Sequence, residues 1–307
     1  MHKILITGGA GFIGTALAYR LSNAGYIVSL LDLPNKFTKE HKCYETFAID
    51  IREYKNFLPL SEKRFDYIYH LAGQTSSLIS QEDPENDVET NVRGTLNICT
   101  YARSIQVKKI IFSSSMATYG NHPGVISESC EQKPISNYGV SKKSAEAYIQ
   151  SFLQYGIKYT IFRIFNAYGP GQDMGNLKQG MASIFMAQVI CDDVVKVTGS
   201  LERYRDFIYI DDVVDALEMA LSEKMDCEVF NLGSGIKTTV SELIQKIIDI
   251  SDKKNNRPEI VNIGSHDGDQ FGSVADIQKL KQYGWEPRVS FDDGLYFMYQ
   301  YALEVLR

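Results

Sequence analysis

Residues 3–14 read KILITGGAGFIG, and the residue types in that order decide the fold. Lys3–Thr7 is a short, mostly apolar, β-rich run, which predicts a buried strand. Gly8, Gly9, Gly11 and Gly14 then satisfy both the GxGxxG and the overlapping GxxGxxG spacing. Ile13, Leu17 and Leu21 follow at helical spacing, with a stop at Gly25. Strand, glycine turn and helix in that order bring backbone N–H groups, unshielded by Cβ atoms, to a helix N-terminus where a pyrophosphate can be held. A tight glycine turn that holds nothing is the alternative, and the place of these glycines between strand and helix counts against it.

Outward from the turn, YIVSLLDL at 26–33 reads as a second buried strand ending in Asp32. A carboxylate there, about 20 residues past the glycines, accepts hydrogen bonds from ribose hydroxyls and repels a 2′-phosphate, which favours NAD over NADP. The rhythm repeats through FDYIYHLAG at 65–73, a helix over 90–104, VKKIIFSSS at 107–115, a helix from about 138 to 155, and KYTIFRIFN at 158–166. Strands that are apolar throughout, with helices between them, predict a parallel sheet covered on both faces. The expected fold class is α/β, a Rossmann-type doubly wound parallel sheet with a smaller mixed α/β C-terminal substrate lobe. The second lobe starts where YGPGQDMGNLKQG, rich in Gly, Pro and Asn, breaks the rhythm. The expected division is 1–165 plus about 205–232 for the cofactor domain, and about 166–204 with 233–307 for the substrate lobe.

Composition narrows the function classes. The chain has 307 residues, 44% hydrophobic and 23% charged, enough to bury a core without disulfides or metals and incompatible with intrinsic disorder. A formal net charge of -6 with dispersed Lys and Arg argues against nucleic-acid coating or adsorption to a membrane. The 5 cysteines, Cys43, Cys99, Cys130, Cys191 and Cys227, form no CxxC pair and have no His at metal spacing, so reduced thiols and no metal site are expected. MHKILITGG lacks the pattern of a secretory signal, and no apolar run is long enough to span a bilayer, which makes the cytoplasm the expected location.

Tyr138 and Lys142 in YGVSK stand four apart on a predicted helix and share a face. With 19 Tyr in the chain the spacing alone carries little weight, but this YxxxK follows a strand ending in Ser113, Ser114 and Ser115. A phenol is a poor base at neutral pH until an ammonium and a positive nicotinamide stand beside it. Tyr138 can then take a proton from a hydroxyl while hydride leaves the same carbon, with a serine hydroxyl holding the reacting oxygen. An amphipathic helix with one buried Tyr and a snorkelling Lys is the alternative.

These residues, together with Asp50-Ile51, HLAG at 70–73, NVRGT at 91–95, SSSMATYG at 113–120, FNAYGPG from Phe165, RDFIYIDDV, FNLGSG and GDQFGSVAD, carry a resemblance over nearly the whole length. The chain resembles the extended short-chain dehydrogenase/reductase family, particularly its nucleotide-sugar 4-epimerases of the UDP-glucose type. The resemblance implies that Gly8, Gly11, Phe12, Ile13 and Gly14 cradle the NAD phosphates, that Asp50 and Ile51 touch the adenine, and that Leu71 and Ala72 pass beside the cofactor. Asn91, Ser113 and Phe165 complete the implied cofactor set. Lys142 would bind the nicotinamide ribose, Tyr138 would be the base and Ser115 its partner. On the substrate side it implies Met116, Asn166, the phosphate-covering Asn176 and Leu177, the phosphate-binding Arg205, Asp269, and Ser273, where a bulky residue in relatives excludes an N-acetyl group.

Two departures qualify the likeness. Met116 and Ala117 stand where the family's dehydratases and decarboxylases carry an acid, so elimination is disfavoured and epimerisation at sugar C4 is favoured. His266 replaces an arginine common in relatives, removing one phosphate clamp that Arg203 would have to replace. The expected partner is a nucleotide-diphosphate sugar, UDP-linked, and the family's pairing through the NVRGT and YGVSK helices implies a homodimer. A nucleotide-4-keto-sugar reductase and a non-catalytic NAD-binding sensor remain as alternatives.

Overall fold

The computed structural model describes residues 1–264 and 271–306. Its centre is a seven-stranded sheet. The strands are β1 (Lys3–Thr7), β2 (Ile27–Asp32), β3 (Glu45–Ala48), β4 (Tyr67–His70), β5 (Lys109–Ser115), and then Lys158–Ile164 and Glu228–Leu232. From one edge to the other the order is Glu228–Leu232, Lys158–Ile164, β5, β4, β1, β2, β3. β1 pairs in parallel with both β2 and β4, β2 with β3, and β4 with β5. Consecutive residues Ile4, Leu5 and Ile6 are all fully buried, and every residue of β5 is buried. Because neighbours on a strand point to opposite faces, this means that both faces are covered, as the unbroken apolar runs require. Each such aliphatic side chain contributes about 1.5–3 kcal/mol relative to exposure.

Two compact units make up the chain. The first comprises Met1–Thr118, Ser136–Arg163 and Val214–Phe230, and carries α1 (Phe12–Asn23), α2 (Ser77–Glu82), α3 (Pro84–Val88), α4 (Gly94–Ser104) and α5 (Asn137–Ser151). A buried neutral imidazole ties its layers together: His70 Nδ1 meets Thr7 Oγ1 at 2.8 Å and Nε2 meets Thr95 Oγ1 at 2.9 Å. Burial, and then the Lys142 cation, pull His70 down to about 3. On the other flank the buried Lys109 donates to the carbonyls of Ala220 and Ser222 at 2.8 and 2.9 Å and pairs with Asp226. A lysine at the start of a strand thus satisfies the carbonyls just past the helix Ile210–Met219.

The second unit comprises Tyr119–Ile135, Ile164–Val213 and Asn231–Arg307. Asp206 is fully buried at its heart and accepts from Ser234 N and Oγ, both at 2.7 Å, and from Gly235 N and Ala275 N, both at 3.0 Å. The stretch 119–135 belongs here although it falls inside the range 1–165 expected for the cofactor domain. Val125–Ile126 pairs in parallel with Val274–Ala275, and the Gly124 carbonyl accepts from Val274 N at 2.9 Å. Likewise the chain returns to the first unit at Val214, not near 205. Among the described residues no helix is long and apolar enough to cross a membrane.

Candidate active site

The glycine turn is built by close approach. Gly8 has φ of +70°, and a Cβ there would lie 2.6 Å from Ala72 N, so only glycine fits on both counts. A Cβ on Gly14 would overlap the Gly8 carbonyl oxygen. Gly11 is the N-cap of α1 and no side chain caps that end, which leaves the helix start beside Phe12 and Ile13 for an external anion. Leu71 N donates to Thr7 O at 3.1 Å and Ala72 N to Thr7 Oγ1 at 3.3 Å, drawing the loop after β4 against the turn. Asp32 is joined to the same turn, since its carboxylate accepts from Ala10 N at 3.0 Å and Leu33 N at 2.8 Å.

The residues expected at the adenine also make contacts within the protein. The Asp50 carboxylate is forked by Arg52, whose Nε lies 3.0 Å from each oxygen, and this guanidinium holds it below the usual carboxylate range. Ile51 is buried beneath Gly94, where a Cβ would come within 2.6 Å of its Cδ1. Asn91 is spent as well: Oδ1 accepts from Gln74 N at 2.9 Å, while Nδ2 donates to Gln74 O at 3.0 Å and to Asp87 Oδ1 and Ser141 Oγ at 3.1 Å. It sits in a single π-helical turn, Glu89–Arg93, a feature with no signature in the sequence.

The catalytic candidates meet within the first unit. Ser136 caps α5 by accepting from Gly139 N at 3.1 Å, and Ser80 Oγ accepts from Tyr138 N at 3.1 Å, fixing where the helix begins. Tyr138 is buried; burial pushes its phenol up to about 12, opposed by the nearby Ser115 hydroxyl, which accepts from Ala117 N at 3.2 Å. Lys142 is buried one turn on, with Nζ 4.2 Å from the centre of the Phe112 ring. Burial brings it down to about 8, opposed by the carboxylates of Glu146 and Asp87. Ser113 Oγ donates to His70 O at 3.4 Å, and Ser114 Oγ donates to Glu146. Glu146 is in turn gripped by Arg163, Nη2 to Oε2 at 2.8 Å, both nearly fully buried. Met116, also buried, opens a short 3-10 turn directly after Ser115. Ser80, Asp87, Glu146 and Arg163 were not signalled by any local spacing.

Apart from Ser115 and Met116, the described substrate candidates lie in the second unit. Phe165 N donates to Leu232 O at 2.9 Å, and Asn166 Nδ2 donates to Asp206 O at 3.0 Å. Arg205 is buried with Nη1 on Tyr204 O at 2.8 Å and Phe271 O at 3.3 Å; burial, then the Arg203 charge, lower it to about 10. Arg203 itself donates to Ser200 O at 3.3 Å and to Thr198 O, holding its own turn. Ser273 is 1% exposed and its hydroxyl has no hydrogen-bond partner among the described residues. Asn176 stabilises its own loop by accepting from Lys178 N at 3.0 Å, beside an exposed Leu177. Asp269 and His266 lie outside the described residues.

Comparison with known proteins identifies the relationship. The model of the NAD dependent epimerase/dehydratase family matches residues 4–233. A UDP-glucose 4-epimerase of Thermotoga maritima, solved with UDP-glucose, superposes with a TM-score of 0.91 at 35% identity, covering 99% of this chain and 100% of that one. A Thermus thermophilus UDP-glucose 4-epimerase solved with NAD gives 0.90 at 30% identity, covering 97% and 98%. A dTDP-4-dehydro-6-deoxyglucose reductase of Escherichia coli is 31% identical, over 96% of this chain and 95% of its own. The glycine cradle, the uncapped start of α1 and the carboxylate of Asp32 fit a dinucleotide pyrophosphate and ribose. The chain belongs to the NAD-dependent epimerase/dehydratase family, with NAD as its cofactor and nucleotide sugars as its substrate class.

Proposed function

We propose that this family member is a nucleotide-sugar 4-epimerase that interconverts the gluco and galacto forms of a UDP-linked hexose and accepts the N-acetyl forms as well. The observation that carries this reading is the buried trio of Ser115, Tyr138 and Lys142 within one unit, with Met116 and no acid directly after the serine. When bound, NAD supplies a reversible hydride acceptor at the sugar carbon. Tyr138 takes the proton of the C4 hydroxyl as that carbon becomes a ketone, and returns it when the sugar is reduced on its other face. Its phenol, at about 12 in the protein alone, becomes a base where the Lys142 ammonium and the oxidised cofactor place positive charge beside it. Ser115, whose hydroxyl stands near enough to act on the Tyr138 phenol, keeps the reacting oxygen within reach.

The buried Arg205 favours a phosphate on the second unit, and the small Ser273, whose hydroxyl has no hydrogen-bond partner among the described residues, favours a sugar with a large C2 substituent. Proton NMR of purified protein with UDP-glucose and, separately, UDP-N-acetylglucosamine, with no added cofactor, tests the reading. Galacto anomeric signals are expected with both; silence from protein that carries NAD overturns it. The E. coli relative's printed activity favours one second reading, a reductase of nucleotide 4-keto sugars. Stoichiometric consumption of added NADH by such a ketone, without epimerisation, would select it. A homodimer is proposed on the exposed Val140 and Tyr148 of α5 and Val88 of α3, with a dimer mass in sedimentation expected.

A further inference from the structure

Beneath the catalytic helix lies a carboxylate that the reaction above does not use. Asp87, on α3, is fully buried. One oxygen, Oδ1, accepts from Gln74 Nε2 at 2.7 Å and from Asn91 Nδ2 at 3.1 Å, whereas Oδ2 is buried with no hydrogen-bond partner among the described residues. Asn91 carries the link onward: the same Nδ2 reaches Ser141 Oγ at 3.1 Å, and Ser141 donates to the Tyr138 carbonyl at 3.0 Å. A Cβ on Gly73 would lie 2.8 Å from Asn91 Oδ1 and 3.8 Å from Lys142 Nζ, so this cluster and the ammonium flank one glycine. The bare backbone at Gly73 leaves no side chain between them.

Several other ionisable groups face Lys142. His70 on β4 is neutral, bonded to two threonines. Tyr138 and Glu146 stand one turn before and after Lys142 on α5. The charge of Glu146 is matched by Arg163 from the strand Lys158–Ile164, in a two-pronged pair. Asp87 has no lysine, arginine or histidine within ion-pair distance among the described residues, so its field acts unshielded through a dry interior. A buried carboxylate left half unsatisfied is costly, and such costs are retained where the charge does something.

We propose that Asp87 is a positioning residue that serves as the counter-charge of Lys142 and sets the pH range over which the Tyr138–Lys142 pair works. It touches neither cofactor nor sugar. A negative charge near both groups makes each proton of the pair harder to remove, so its loss moves both titration steps to lower pH. This agrees with Asp87 raising both Lys142 and Tyr138. The inference rests on reading these two residues as the catalytic pair.

The test compares the NAD-loaded wild type with Asp87→Asn, Asp87→Ser and the charge-keeping Asp87→Glu, with folding checked by circular dichroism. The first readout is the pH profile of kcat with UDP-glucose. The second needs no turnover: NMR of protein labelled with 13Cε-lysine, the Lys142 line assigned by its absence in Lys142→Met. Both limbs of the profile, and the Lys142 midpoint, are expected to fall by on the order of one pH unit in the neutral variants. Asp87→Glu is expected to keep the wild-type midpoint. A folded neutral variant that loses rate at every pH without moving the midpoint overturns the proposal and leaves Asp87 as packing. No turnover with UDP-sugars but a shifted Lys142 midpoint would sink the epimerase reading and leave the counter-charge standing.

Discussion

The two units prepare their candidate sites in different ways. In the first, Tyr138 and Lys142 are four residues apart on one helix, whose start is fixed twice over by Ser136 and Ser80. In the second, Asn166, Arg205 and Ser273 come from distant stretches, and one carboxylate, Asp206, ties the backbone at 234, 235 and 275 together. The first arrangement makes chemistry robust to changes in the surroundings. The second makes specificity depend on a hub, so that damage to the hub is paid in stability and changes around it alter which substrate fits.

The largest effect expected from breaking this contrast is on rate alone. Tyr138→Phe removes the proton acceptor while keeping the ring in its packed place, and turnover should fall by about 10²–10⁴-fold with the melting temperature close to wild type. Wild-type turnover in this variant would remove Tyr138 from the mechanism. Asp206→Ala does the reverse, leaving the buried N–H groups of Ser234, Gly235 and Ala275 without an acceptor. A loss of about 3 kcal/mol or more in urea unfolding is expected.

A pH dependence of stability sharpens the comparison on the side of the first unit. His70 has a pKa of about 3 in the folded chain against 6.5 for the free group. The unfolded chain therefore binds the extra proton first, and stability present above pH 6.5 is lost as pH falls from there toward 3. The slope from this group is about 1.4 kcal/mol per pH unit. Chemical denaturation across that range should show it, and His70→Gln should flatten the dependence. The smallest effect is selective: Ser273→Tyr should cut turnover of UDP-N-acetylglucosamine about tenfold while sparing UDP-glucose. Equal turnover of both in the variant would detach Ser273 from the sugar pocket.

The contrast also explains how much could be read from the chain. The glycine turn, Asp32 and the YGVSK pair are encoded within single elements, so spacing alone exposes them, and the unbroken apolar runs fix a sheet buried on both faces. Ser80 and Asp87 support the same pair from 58 and 50 or more residues away in sequence, and such support leaves no periodic trace. The side-chain engagement of Asp50 by Arg52 and of Asn91 by Gln74 was equally hidden, because a motif gives residue identity and not hydrogen-bond partners. The strand pairing that ties 119–135 to the second unit, with Val274–Ala275, is two residues long, far too short to register as a strand pattern.

One consequence belongs to the birth of the chain. The central sheet takes its edge strand from Glu228–Leu232, and Lys109 finds its partners among the described residues at Ala220, Ser222 and Asp226. On a ribosome, β1 to β5 emerge with that lysine already committed to a sheet whose flank does not yet exist. Burying it then would strand a cation in an apolar layer, so the ammonium keeps its water until the segment after Val214 arrives. Closure of the first unit is thus timed by translation of its last piece, and a nascent chain arrested before Asp226 should be digested by protease at β5 where the released protein resists.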